Sequence, residues 1–354
     1  MDIKKEFEQL VDLVVREEAS DLHLTVGRYP SIRVGGTITP LVKHSILTGE
    51  DTRGILESLV SEENFKKFLT EQEIDFSYTD GVEKARFRGN AFFQQGFVGI
   101  ALRLVPSKIK TLKELNLPPV LEHFTKLQQG FFLVVGPVGQ GKSTTLASLV
   151  DLINKTRAEH IVTIEDPIEY LFKPELSIVD QREVGVDTQS FQIGLESMFR
   201  QDIDVIMVGE MRDLGTMSTA VTAAETGHLV FSTLHTNNAS QTIDRIIDSF
   251  PAYQQDQIRL QLSQSLAGIF SQRLLPRISG GLIPAYELLF NNIAVSNLIR
   301  EGRTQEINLV IETGSKDGMI DLNRALADLV RRGEVTAETA LSRSVDPNSL
   351  KQFL

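Results

Sequence analysis

The chain has 354 residues, 41% of them hydrophobic and 23% charged, with a formal net charge of −11 and no cysteine. That length suggests two or three domains, each able to bury a core, and the acidic balance argues against a nucleic-acid backbone as the main partner without excluding a local basic patch. Disulfides and thiolate metal sites are ruled out, in keeping with a reducing cytosol, and no apolar run approaches the ~20 residues that span a bilayer.

The start, Met1-Asp2-Ile3-Lys4-Lys5-Glu6, carries acidic residues and does not read as a secretory signal. The protein is therefore expected to be cytoplasmic and to meet a membrane only through a partner. Phe7, Leu10, Val11 and Val14 recur at helical spacing, which predicts a helix over 3–18. Alternation at Leu22, Leu24 and Val26, and again over 32–34 and 75–78, predicts strands. Ile55, Leu56, Leu59 and Val60 mark a second helix with a cap at Thr48. Residues 85–105 read as a β-hairpin about Gln95-Gly96. Thus 1–105 reads as a small α+β domain, followed by an interdomain linker over 106–119 in which Lys, Pro and Leu alternate without periodicity.

From 120 to 290 the pattern becomes strand–helix alternation, the signature of a mostly parallel α/β sheet. Strands are expected at 131–135, 161–164, 177–180, 205–208 and 229–234, with helices at 143–154, 190–201, 214–225 and 238–249. After Pro251 the chain reads as largely helical apart from a strand at 283–289. Residues 291–354 form a helical C-terminal region, with Leu322, Ala325, Leu326, Leu329 and Val330 on one amphipathic face.

The most informative stretch is Gly136-Pro137-Val138-Gly139-Gln140-Gly141-Lys142-Ser143. It has the G-x-x-x-x-G-K-[ST] spacing of a phosphate-binding loop, with an apolar strand before it and a helix after. The glycines let successive N–H groups turn inward on a triphosphate. The helix presents its positive end, Lys142 adds a point charge, and the Ser143 hydroxyl can hold Mg²⁺. A Gly-rich turn matching by chance is the bland alternative, and the flanking elements weigh against it.

In open α/β sheets, ligands bind outside the carboxyl ends of the strands. Glu165-Asp166 follows one expected strand, Glu210 another, and His235 a third. A single carboxylate after a strand is more often a solvated loop residue; convergence on the edge that bears the phosphate loop is what points to chemistry. Glu210 is the candidate to orient and activate the attacking water. Glu165 would bind Mg²⁺ through a water or assist polarisation. Asp202 and Asp204 lie at the amino end of their strand and are expected to be structural. His228 begins the next strand, further from the nucleotide edge than His235, and its structural and functional readings both stay open.

The hairpin carries a second clue. A turn at Gln95-Gly96 sets Arg88 directly across from Arg103, and facing like charges are destabilising. Such a pair makes sense with an anion between its members, and the anion this chain announces is a nucleotide phosphate. Arg88 and Arg103 are therefore expected to be arginine fingers; the alternative is a solvated basic face in another register.

With these residues in place, the chain resembles the PilT family, the retraction ATPases of bacterial type IV pili, within the wider secretion and pilus ATPase superfamily. Ala19-Ser20-Asp21-Leu22-His23-Leu24 matches the family's N-terminal signature, and Arg86-Phe87-Arg88 with Asn90-Ala91-Phe92 matches its arginine hairpin. Residues 136–145, with Thr144 and Thr145 closing the loop, match its Walker A. The segment beginning Thr163-Ile164-Glu165-Asp166-Pro167 matches its acidic box, and Val208-Gly209-Glu210-Met211-Arg212-Asp213 its Walker B. The stretch from Gly227-His228 to His235-Thr236 matches its histidine box.

The resemblance implies an α/β fold: a RecA-like P-loop NTPase core with an N-terminal α+β, PAS-like domain and the helical C-terminal region. It implies ATP and Mg²⁺ as cofactors and a homohexameric ring with ATP bound between domains. Glu210 would be the catalytic base and Glu165 the Mg²⁺-associated carboxylate, with His228 and His235 as histidine-box residues. The implied partners are further copies of the chain, an inner-membrane pilus platform protein and a paralogous pilus ATPase, with the protein peripheral at the inner membrane and no nucleic acid bound. Assembly ATPases of the superfamily are usually longer and carry a four-cysteine zinc site, which favours retraction. One departure stands out: the family's C-terminal motif, tied to retraction rather than hydrolysis, begins Ala-Ile-Arg, and the aligned residues are Ala294-Val295-Ser296. The alternatives are a pilus assembly or type II secretion ATPase, a PilU-like accessory paralogue, a nucleotide-gated regulator with little turnover, and a nucleic-acid motor.

Overall fold

The computed structural model describes residues 3–81 and 85–354. Met1 and Asp2 of the expected start, and 82–84 within the expected domain 1–105, lie outside them. The chain forms two units: the described residues up to Lys108 together with Glu169–Leu171, and Ile109–Ile168 together with Phe172–Leu354. Residues 109–119 thus belong to the second unit, where Leu112 and Leu117 are buried. The residues after 290 belong to that unit as well.

The first unit is a six-stranded antiparallel sheet of β1 (Asp21–Leu24), β2 (Ser31–Val34), β3 (Thr37–Pro40), β4 (Glu73–Thr79), β5 (Arg86–Gln94) and β6 (Phe97–Val105), in the order β3-β2-β1-β6-β5-β4. The opening helix, Ile3–Arg16, buries Phe7, Leu10, Val11 and Val14, and these join Leu22, Leu24, Phe87, Ala91, Ile100 and Leu102 in one core. The helix Gly49–Leu59 starts at Thr48, whose side chain and Asp51 form a reciprocal capping box. Between β5 and β6, Gln95 and Gly96 both have positive φ, 53° and 83°. Two such residues make the tight hairpin turn that matches strand twist. That turn fixes the register at Arg88 opposite Arg103. Two elements carry no expectation from the sequence. Strand β3 is exposed at every residue and so has no apolar alternation to read, and the helix Glu62–Glu71 buries only Phe68.

The second unit is built on seven strands: β7 (Gly130–Val135), β8 (His160–Glu165), β9 (Ile178–Glu183), β10 (Val205–Val208), β11 (Leu229–Leu234), β12 (Leu266–Pro276) and β13 (Leu282–Phe290). Their order is β13-β12-β7-β11-β10-β8-β9, and every neighbouring pair is parallel except β12 with β13. The middle strands β7, β10 and β11 are buried at every residue, as expected of parallel strands covered on both faces. Along β7, Phe131, Leu133 and Val135 pack into one face's core and Phe132 and Val134 into the other's. Each such fully buried side chain contributes roughly 1.5–3 kcal/mol relative to exposure.

Strand β12 corrects the expectation that the chain stays helical from Pro251 to 283. The helix Ala252–Ser265 ends where β12 begins, and β12 lies parallel beside β7. Its first half is buried on both faces, and such a run has no period that separates a strand from a buried helix. The amphipathic helix Leu322–Arg331 buries Leu322, Ala325, Leu326 and Leu329 against Leu275, Ile283 and Ala285 of β12 and β13.

Candidate active site

The parallel order β7-β11-β10-β8 places four carboxyl ends side by side. Along that edge run the phosphate loop, His235, Glu210 and Glu165, in that order. The loop leaves β7 at Gly136 and enters the helix Lys142–Thr156 through Gly141, whose φ of 80° lies in the left-handed region. Thr233 Oγ1 donates to Gly209 O at 2.6 Å, and Met211 N donates to Thr233 O at 3.3 Å. These two bonds tie the turn that carries Glu210 to the end of β11.

The side chains on this edge engage one another. Lys142 is only 7% exposed; its Nζ donates to Gly136 O at 2.8 Å and to Pro137 O at 2.9 Å, curled against the loop it serves. It also lies 3.2 Å from His235 Nδ1. An ammonium can only donate, so Nδ1 accepts and the His235 proton sits on Nε2. That Nε2 faces Glu210 Oε2 at 3.4 Å. The other Glu210 oxygen pairs with Arg212, which also reaches Asp166 at 3.6 Å. Lys142, His235, Glu210, Arg212 and Asp166 thus form one continuous polar line. Arg212 has no role assigned to it from the sequence, although its position two residues after Glu210 is visible there.

Glu165 ends β8 and is 6% exposed. Its Oε1 accepts from Thr163 Oγ1 at 2.8 Å and from Gln181 Nε2 at 3.2 Å. The neighbouring acid Glu183, opposite it in register on β9, accepts from Ile168 N at 3.1 Å and steadies the loop that follows Glu165-Asp166. On β13, Glu287 is buried and accepts from Ala239 N at 2.8 Å, at the start of the helix that follows the His235 loop. Burial pushes this carboxyl up to about 7, against the pull of the Ala239 N–H and Arg273. Ser143 and Thr144 occupy the first turn of the helix after the loop.

His228 is not part of this line. It precedes β11 at the strand's amino end, roughly 20 Å from His235 at 3.3 Å per residue. There Nδ1 donates to Ala223 O at 3.1 Å, at the end of the helix Leu214–Glu225. Asp202 and Asp204 also sit at that amino edge, where Asp204 Oδ2 accepts from His160 N at 2.8 Å.

Arg88 and Arg103 lie in the first unit in the expected register, directly across from each other on β5 and β6. Arg103 Nε donates to Asp21 Oδ1 at 2.9 Å, and Arg33 stands 3.5 Å from the other oxygen of the same carboxylate. Burial works against the charged Asp21, but hydrogen bonds from Ser20 and Arg103 outweigh it and hold its pKa below the usual range. Asp21, of the N-terminal signature, thus pairs with Arg103 and Arg33 from β1, on the side of β6 away from Arg88. Arg88 remains exposed.

Residues 99–281 match the family model described as type II/IV secretion system protein. The chain is 41% identical to the type IV pilus retraction ATPase PilT of Pseudomonas aeruginosa, over 96% of this chain and 98% of that one. It is 40% identical to the type IV pilus ATPase PilU of the same organism, over 99% of this chain and 91% of that one. The crystal structure of the pilus retraction motor PilT with bound ADP matches with a TM-score of 0.88 at 47% identity, covering 97% of this chain and 98% of that one.

Proposed function

The chain belongs to the type II/IV secretion system family and resembles its PilT members nearly end to end, and from that premise we propose that it is the ATP-hydrolysing motor of type IV pilus retraction. The observation that carries the chemistry is the line Lys142–His235–Glu210 at the mouth of the phosphate loop. Loop N–H groups and the positive end of the helix Lys142–Thr156 receive the phosphates, and Lys142 supplies the charge. Glu210 orients the attacking water and takes its proton, with His235 fixing the carboxylate against Lys142. Ser143 and Glu165 offer the hard oxygen donors that Mg²⁺ prefers. Among the described residues no group of three or more acidic or histidine side chains could hold a metal alone, and a nucleotide-bound Mg²⁺ needs only one or two protein oxygens beside phosphate and water. Ser143 and Glu165 would be the residues to hold such an ion, which would supply neutralisation of charge on the phosphate oxygens.

Arg88 and Arg103 are the arginine fingers of this reading, with Arg88 carrying more of the effect because Arg103 already pairs with Asp21. Arg88→Ala should lower kcat by roughly 10³-fold and Arg103→Ala by less; turnover near wild type for Arg88→Ala would remove the assignment. The working unit is a homohexamer that acts on an inner-membrane platform protein beside a paralogous pilus ATPase. No helix among the described residues is long and apolar enough to cross a membrane, so attachment there runs through those partners. Deleting the gene and scoring surface pili and twitching tests the function. Excess pili without motility is the expected result; loss of pili would make it an assembly motor instead.

A further inference from the structure

Strand β12, whose residues read as helix in the sequence, brings one side chain under the phosphate loop. Gln272 is 3% exposed and stands just past the point where β12 pairs Ser271 with Val135, the last residue of β7. Both ends of its amide are committed to the loop. Its Nε2 donates to Gln140 O at 2.8 Å, and its Oε1 accepts from Thr145 Oγ1 at 2.7 Å, in the first turn of the following helix. The loop answers with a third bond, from Leu274 N to Gln140 Oε1 at 2.8 Å.

The approach is close enough to dictate two of the loop's glycines. At Gly136, with φ of 145°, a Cβ would lie 2.4 Å from Gln272 O. At Gly141 it would lie 3.0 Å from Gln272 Nε2. Gly136 is therefore also a packing requirement set by the β12 backbone, and Gly141 is crowded by the Gln272 amide, whereas Gly139 meets nothing within 4 Å. The bond to Gln140 O has a further consequence. In a planar trans peptide the C=O and the following N–H point in opposite directions. Drawing the Gln140 carbonyl toward Gln272 therefore turns the Gly141 N–H away from β12 and fixes the orientation of an amide in the phosphate loop. With a donor and an acceptor on one planar end, the amide holds Gln140 and Thr145 at once.

We propose that Gln272 is a positioning residue for nucleotide binding, holding residues 140–145 in the conformation that receives phosphate. The assignment rests on reading residues 136–144 as the nucleotide site. Next along β12, Arg273 Nη1 donates to Arg343 O at the end of the helix Ala337–Arg343. One strand therefore touches both the phosphate loop and the C-terminal helices.

The test is the Kd for MgATP, with KM and kcat for phosphate release, on the full chain and on Gln272→Leu and Gln272→Glu. The leucine leaves Gln140 O and Thr145 Oγ1 without their partner; the glutamate keeps the size and the acceptor but loses the donor. Stranding buried polar groups should raise Kd and KM together by roughly 10- to 100-fold, with kcat at saturating ATP within about 3-fold of wild type. A merely structural glutamine would lower the melting temperature and leave the folded protein's ATP affinity unchanged. Folded variants with wild-type Kd would overturn the proposal, and Gln272→Glu alone decides between the two outcomes if the leucine variant does not fold. A wild-type chain that binds no ATP would instead overturn the nucleotide reading itself.

Discussion

The two edges of the parallel sheet use their polar side chains differently. At the amino edge they mostly close backbone groups, although His160 Nε2 also lies 3.0 Å from Asp180 Oδ2. His160 Nδ1 lies 3.0 Å from Gln201 O and 3.1 Å from Asp202 O, Asp204 accepts from His160 N, and His228 Nδ1 donates to Ala223 O. At the carboxyl edge Lys142, His235, Glu210, Arg212 and Asp166 bind one another. At the amino edge most of these bonds complete a helix or a turn; at the carboxyl edge Lys142 also bonds its own loop, but the line continues through His235 to Glu210 and Arg212. His228 and His235 flank one strand and have opposite fates for that reason. Residue type and motif membership treat them alike, and position along β11 separates them.

The sharpest way to break this comparison is to exchange the fates of those histidines. His235→Ala removes the link between Lys142 and Glu210 and should lower kcat by about 10²-fold, the lower end of what a positioned acid–base group contributes, with little change in melting temperature. A smaller effect belongs to Glu287, which supports the helix after His235. Its folded pKa of about 7 lies above its ordinary 4.5, so between those values the folded state holds a proton that the unfolded chain has released. Stability should therefore fall as pH rises through that window, by roughly 1.4 kcal/mol per pH unit at the steepest. Glu287→Gln should flatten that slope in denaturant titrations between pH 5 and 7; an unchanged slope would show that the burial of Glu287 does not control it. The smallest effect is expected at the amino edge. His228→Ala should cost about 1 kcal/mol of stability, a shift of roughly 2–4 °C in Tm, with kcat within twofold of wild type.

The sequence made the carboxyl edge legible because parallel strands buried on both faces appear as unbroken apolar runs, and the residue after each run is the strand end. Residues 131–135, 205–208 and 229–234 could be read this way, and with them Gly136, Glu210 and His235. The Arg88–Arg103 register was legible because a two-residue turn leaves no freedom in a hairpin. The partner of Arg103 was not, since Asp21 lies 82 residues away on a strand whose pairing with β6 no local pattern announces. Gln272 was hidden for a related reason. Its run reads equally as helix or strand, and its role depends on which strand lies beside β7. Arg212 was in plain view, but only the geometry shows it bridging Glu210 and Asp166.

If Glu210 performs the chemistry, then catalysis lies with the line at the carboxyl edge and not with the polar residues at the amino edge. Steady-state phosphate release from MgATP by wild type, Glu210→Gln and His228→Gln tests it most directly. Glu210→Gln should lose at least about 10²-fold in kcat while still binding ATP, and His228→Gln should turn over like wild type. Equal losses in the two variants, or turnover that survives in Glu210→Gln, would contradict it.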